Sequence, residues 1–210
     1  MERKTRMPSQ KRSLEKYEKI LTAAFQLFNE KGYYNITTAD IAKEAGVATG
    51  SVYSYFVDKK EIYIEVLNRI SKNIFEPSKG FWIEHATFDL QDEQGSKELF
   101  KIFVKLMMDN HNFSKLFHDD MTALKLLDQD VAAADDEQNK RRDQKISEIF
   151  ELLKIPFKDE ESKEVFKHYS NLLIDDACHK ILYDKDVKNP DIYIEQSVDM
   201  LYKLMKNLSK

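Results

Sequence analysis

The sequence has little of what usually breaks a chain into short pieces. Five glycines and four prolines in 210 residues leave few sites for turns. Long helices are therefore expected rather than many short strands. One cysteine, Cys178, excludes an internal disulfide framework and fits a reducing cytoplasm. No apolar run approaches the length of a membrane span. The basic start MERKTRMPSQKRSLEK is not followed by an apolar core, so it does not read as a secretory signal. Also missing are a phosphate-cradling glycine loop, a nucleophile motif and any CxxC or HExxH cluster, which leaves catalysis without a foothold. Neither enzyme activity nor a cofactor or metal is expected.

What remains is a soluble, globular composition, 42% hydrophobic and 33% charged. The net charge of −4 argues against a nucleic-acid partner, but its distribution does not. Residues 1–60 hold 11 Lys and Arg against 7 Asp and Glu, whereas the other 150 hold 22 against 30. That asymmetry points to a polyanion meeting the first part of the chain.

Residues 1–12 read as a basic arm with Arg3, Lys4, Arg6, Lys11 and Arg12. Tyr17, Ile20, Leu21, Ala24, Phe25 and Phe28 then recur at helical spacing, which predicts a helix over 14–31 ended by Gly32. In YYNITTADIAKEAGV, Thr37 or Thr38 caps a short helix, with Asp40 completing a capping box and Gly46 stopping it. A third short helix, VATGSVYSYF, follows at once, giving a helix-turn-helix arrangement. A fourth opens at VDKKE with Asp58 and Glu61 as caps and carries Ile62, Val66, Leu67, Ile70 and Ile74 inward until Pro77 kinks or ends it. Further helices are expected over 96–109, 113–128, 138–154, 160–184 and 190–208. The segment DQDVAAADDEQNK reads either as a mobile loop or as an exposed helix. The fold class is all-α, with residues 1–60 as a basic arm and helix-turn-helix head and 61–210 as a larger helical body.

On a helix, AGVATGSVYSYF turns Val52, Tyr55 and Phe56 to one side and Thr49, Gly50, Tyr53 and Ser54 to the other. Small residues let a backbone approach closely, and hydroxyls of Ser, Thr and Tyr meet base edges or phosphates. Lys59 and Lys60 stand in the first turn of a helix, where a cation opposes the dipole at about 0.3–1 kcal/mol each. A phosphate at that N-terminus explains both. Thr37 or Thr38 offers a hydroxyl and an N–H to a second phosphate, and the arm suits a minor groove.

The stretch from Ile20 to Leu67, with its pattern F.EKGY, TT..DIA.EAGV and G..Y.YF..K.E, resembles the TetR-type transcriptional regulators. The resemblance covers about a quarter of the chain. It implies a three-helix DNA-binding head, a connecting fourth helix and a helical body that binds a small effector and pairs with a second copy. By position it implies that Thr37, Thr38, Thr49, Gly50, Ser51, Tyr53, Ser54, Tyr55, Lys59 and Lys60 lie at double-stranded DNA. Two departures stand out. Many relatives carry Ser at the place of Ala48 and Lys or Arg at that of Thr49, and often His where Ser54 stands. The recognition helix therefore holds no cation, so electrostatic affinity rests on the arm, Lys43, Lys59 and Lys60.

In the body, Phe81, Trp82, Phe88, Phe100, Met108 and their neighbours supply aromatic and adaptable apolar surface. Trp82, Phe103, Met107, Phe113, Phe117, Met121, Phe166 and Tyr169 are expected to line an apolar effector pocket. The last two helices carry stripes from Val165 to Leu182 and from Ile192 to Leu208. The resemblance implies that they form the homodimer interface. Asp175 and His179 are one turn apart and His111 and His118 sit on adjacent segments, but such spacing reads first as surface pairs. Cys178 reads as a small core residue. The function implied is that of a cytoplasmic repressor released from a palindromic operator by a small apolar or aromatic effector. The alternative is a helical interaction module that does not read DNA.

Overall fold

A computed structural model describes residues 8–85, 89–111 and 113–210, with only the backbone of residues 74–78. Nine helices occur among the described residues: α1 (Lys11–Lys31), α2 (Thr38–Glu44), α3 (Thr49–Val52), α4 (Lys59–Glu84), α5 (Glu93–Asn110), α6 (Lys115–Leu127), α7 (Gln129–Leu152), α8 (Glu160–Tyr183) and α9 (Pro190–Leu208). The class is all-α, and the one sheet-like feature among those residues is an isolated antiparallel bridge between Phe157 and Ser209.

Side-chain caps set many of the starts. Thr37, Asp92, Ser114 and Asp159 each accept a hydrogen bond from an N–H of the first turn that follows. Asp58 does the same for the N–H of Glu61 at the start of α4, and Asp128 for those of Asp130 and Val131 at the start of α7. Gly32 and Gly46 set two of the ends with φ of 80° and 64°, where a Cβ is disfavoured. At Gly46 the N–H of Val47 reaches the carbonyl of Ala42, and that of Gly46 reaches Lys43, closing a Schellman motif.

α4 does not end at Pro77. Its backbone stays helical to Glu84. DQDVAAADDEQNK is helical too, as the beginning of α7. Its largest apolar residue, Val131, is fully buried, which gives an otherwise polar stretch its anchor.

The chain forms two compact units. The first comprises Met1–Ser71 and Phe113–Gln138, so the head expected over 1–60 shares a unit with α6 and the opening of α7. Ile20, Phe28, Ile41, Val52, Ile62 and Tyr63 make its centre, all 0% exposed. Phe117 of α6 joins them at 1% exposure, its ring 5.6 Å from Tyr63 and 6.0 Å from Phe25. Two polar ties fix α6 to the end of α1. The Ser114 hydroxyl donates to the carbonyl of Asn29 at 2.6 Å, and the Tyr33 N–H donates to Asp120 Oδ2 at 2.6 Å. Gly32 lies against the same carboxylate, where a Cβ would stand 2.8 Å from Asp120 Oδ2.

The second unit comprises Lys72–Asn112 and Asn139–Lys210. α5, α8 and α9 pack on one another around Phe100, Val104, Phe166, Cys178, Leu201 and Met205. Lys97 ties α5 to α9 through Asp199 at 2.7 Å. Leu90, Trp82, Ile149 and Phe150 extend this core. The loop before α8 is pinned to the end of α9 by backbone bonds from Lys158 to Leu208 and from Lys210 to Pro156.

Candidate nucleic-acid interface

α2 and α3 are joined by the tight turn at Gly46 and are too short to hold themselves together. Ile41 and Ala42 of α2, and Val52 and Phe56 at and after α3, do so by burial, with α2 packed on α1 and α3 packed on α2. The Phe56 ring stacks on Tyr17 at 5.1 Å. α3 is regular for four residues only. Looser turn bonds continue the coil, from Tyr53 to Thr49, Ser54 to Ser51 and Tyr55 to Val52.

This packing leaves Thr49, Gly50, Tyr53 and Ser54 exposed on the outer side, as the spacing predicts, with Ser51 half-buried beside them. Nothing of the described chain lies within 4 Å of where a Gly50 Cβ would be. A partner surface can therefore approach the backbone there. The Ser54 hydroxyl donates back to the Gly50 carbonyl at 3.1 Å. Tyr55 differs from Tyr53. It is half-buried, its hydroxyl 2.9 Å from Ser13 Oγ and its ring edge-on to Tyr17. Its contacts hold α3 to α1.

Thr37 is the N-cap of α2. Its hydroxyl and its N–H both donate to Asp40 Oδ2, at 2.6 and 2.8 Å, and the Asp40 N–H returns to the hydroxyl at 3.2 Å. Those bonds hold the Asp40 carboxyl below its ordinary value. The group expected to grip a phosphate thus grips a carboxylate of its own helix, and Thr38 is half-buried at the first helical position.

The two lysines of α4, for which a phosphate is one explanation, also have partners within the chain. Lys59 Nζ donates to the carbonyls of Tyr33 and Ile36, both at 2.7 Å, and stands 4.3 Å over the Tyr33 ring. Burial pulls its ammonium below the ordinary lysine value, with the charge of Asp120 acting the other way. Lys60 pairs with Asp130 and, at 3.2 Å, with Asp128, and these carboxylates push its value up. The N-terminus of α4 is itself occupied by carboxylates. Asp58 accepts from the Glu61 N–H, and Glu61 accepts from the Val57 N–H. Lys43, Lys11 and Arg12 are exposed. Arg3, Lys4 and Arg6 of the arm lie outside the described residues.

The residues expected around an effector divide between the units. Phe113, Phe117 and Met121 belong to the first, with Phe117 in its core. Trp82, Phe103, Met107 and Phe166 belong to the second. Trp82 and Phe103 are 5.1 Å apart and adjoin Phe81, while Phe166 stands against Phe150 and Phe157. Tyr169 is 49% exposed on the surface. Phe88 lies outside the described residues. Cys178 is fully buried, and burial, aided by the charge of Asp175, pushes its thiol up to about 12. It is a core residue without nucleophilic character at neutral pH.

Comparison with known proteins agrees with this geometry. Residues 20–66, which span α1 to the start of α4, match the family described as bacterial regulatory proteins, tetR family. The chain is 31% identical over 103 residues to the fatty acid metabolism regulator protein of Bacillus subtilis (strain 168), covering 47% of this chain and 49% of that one. It is 45% identical over 56 residues to the HTH-type transcriptional regulator HbdR of Aromatoleum sp. (strain CIB), covering 27% and 24%. The match thus spans about half the length of the first and a quarter of the second. Among solved structures, a TetR-family protein from Mesorhizobium loti MAFF303099 aligns over 94% of this chain and 98% of its own, with TM-score 0.73 and 19% identity. A protein from Saccharomonospora viridis, solved in complex with choline, aligns over 90% and 96% with TM-score 0.66 and 21% identity. At such identities these two likenesses speak for the fold.

Proposed function

The chain belongs to the TetR family of bacterial regulatory proteins, a family of regulators rather than enzymes, and on that premise we propose that it is a DNA-binding transcriptional regulator. The observation that carries this reading is the outer side of α3: Thr49, Gly50, Tyr53 and Ser54 exposed in a row above a fully buried Val52. A side of small polar residues ending in a phenol suits the major groove, where close approach and hydroxyl donors are needed. Ser51 and Thr38 add hydroxyls to the proposed contact, and Lys43 with the arm supplies positive charge. Tyr55 holds α3 to α1, Thr37 caps α2, Lys59 ties the start of α4 to the α1–α2 connection, and Lys60 ties it to the start of α7.

In this reading two copies join through α8 and α9, whose exposed Tyr169, Leu172, Leu182, Ile192, Tyr193 and Met200 are unusual for a surface facing only water. Two heads then meet a palindromic duplex in the cytoplasm. The dimer acts as a repressor, and a small apolar or aromatic effector releases it. The aromatic group of Phe81, Trp82 and Phe103 is the place in the second unit best suited to such a molecule.

A helical interaction module that does not read DNA draws support from two observations. α3 carries no cation, and the ammonium groups of Lys59 and Lys60 face partners inside the chain. The test is binding to duplexes flanking the protein's own gene, in a salt series against random competitor. The regulator reading expects tight binding to a palindrome, an affinity that falls steeply with salt, and a loss of about tenfold or more in Tyr53→Ala. Weak binding indifferent to sequence at every salt, together with an empty selection from random duplexes, favours the interaction module.

A further inference from the structure

His111, Asp175 and His179 are separated in sequence but meet in the second unit. His111 is the residue that ends α5. Asp175 and His179 stand one turn apart on α8, so their side chains share a side of that helix. α5 packs against α8, and one ligand atom from each of the three residues lies within 4.8 Å of the other two. We propose that these three residues bind a divalent transition-metal ion of the zinc class.

The donor set argues for the kind of ion. Two imidazoles and a carboxylate suit borderline cations, whereas calcium and magnesium prefer oxygen alone. The orientation of His111 argues for a built site. The residue is 9% exposed, and its Nδ1 stands 2.7 Å from the carbonyl of Met107. With that carbonyl as acceptor, Nδ1 carries the proton and Nε2 offers the lone pair. Metal-ligating histidines adopt this arrangement, with a carbonyl fixing the tautomer from behind. The second ring is held as well. His179 stacks on Tyr183 at 5.5 Å and stands edge-on to His111 at 5.5 Å.

A tetrahedral ion about 2.0–2.1 Å from each donor places the donors about 3.3 Å apart. Asp175 is exposed and His179 half-buried, so their side chains close that gap while His111 stays anchored. Three protein ligands leave a fourth position for water or for a donor atom of a small molecule. The ion clamps the C-terminal end of α5 to the C-terminal half of α8. Cys178, next in sequence to His179, is fully buried and takes no part.

The test uses the full chain, stripped by chelator dialysis and titrated with zinc(II) against a chromophoric chelator, without DNA. Its outcome is therefore independent of the regulator reading. One equivalent should bind. His179→Ala should weaken it at least about 100-fold and Asp175→Asn about tenfold or more, since loss of even an outer partner costs about 10–100-fold. Both positions have surface access, so these variants fold, whereas His111→Ala is read only alongside its circular dichroism. His118 stands on α6 beside Asp119, and His118→Ala should change nothing. Cobalt(II) should give tetrahedral visible bands without a thiolate charge-transfer band. Absence of stoichiometric binding, equal weakening by His118→Ala, or a thiolate band would overturn the site.

Discussion

Lys59 and Lys60 are neighbours at the start of α4, where both oppose the helix dipole, yet they do different work. Lys59 completes the α1–α2 connection by satisfying the carbonyls of Tyr33 and Ile36. Lys60 makes a partly exposed ion pair with Asp128 and Asp130. Lys59→Ala should lower the unfolding free energy by about 1–3 kcal/mol, since two acceptors lose a charged donor. Lys60→Ala should cost clearly less, since its ion pair is partly exposed and screened by solvent. Urea denaturation of the two variants decides it, and equal losses would contradict the assignment. The oddity of two lysines at a helix start was legible in the sequence. Its cause was not, because the partners lie 26, 23, 68 and 70 residues away. The same holds for His111, whose meeting with Asp175 and His179 no spacing announces.

At the level of the helices, local chemistry is well written in the chain. Gly32, Gly46, Thr37 and Asp58 set boundaries where local rules put them, whereas α1 starts at Lys11, ahead of the expected 14, and takes Lys11 and Arg12 out of the arm. Elements that depend on distant packing are less legible. α4 passes Pro77, and α7 begins in a polar stretch held by Val131. The exposed side of α3 was readable because Val52 and Phe56 fix its phase, whereas the effector residues were not, since an aromatic residue fits any helical core equally well. The capping box of α2 carries a pH dependence. Asp40 is held below its ordinary value of 3.8 by the hydroxyl and N–H of Thr37. A depressed carboxyl adds stability that is complete above 3.8 and is lost as the pH falls through its lower folded value. Between pH 5 and pH 3, the urea midpoint of the wild-type protein should therefore fall further than that of Asp40→Asn. Parallel losses would remove the box from the account.

For the molecule as a whole, the exposed apolar residues of α8 and α9 are where pairing of two copies is to be tested. Leu172 and Met200 are 57% and 45% exposed, so a charge at either position leaves the fold intact. If they lie in the interface between copies, Leu172→Asp and Met200→Asp should halve the mass seen by light scattering while the helical dichroism persists. A mass unchanged from wild type in both variants would place the contact elsewhere.

The ties between the end of α1 and α6 bear on how the protein comes into being. Asn29 and Ser114 are 85 residues apart, and Tyr33 and Asp120 are 87 apart. At a synthesis rate of about 5–20 residues per second, that gap is roughly 4–17 seconds on the ribosome. Through that interval the head's helices are already made, but the place that Phe117 fills between Phe25 and Tyr63 stands open to water. Covering that apolar place on the nascent chain waits for a helix encoded much later in the message.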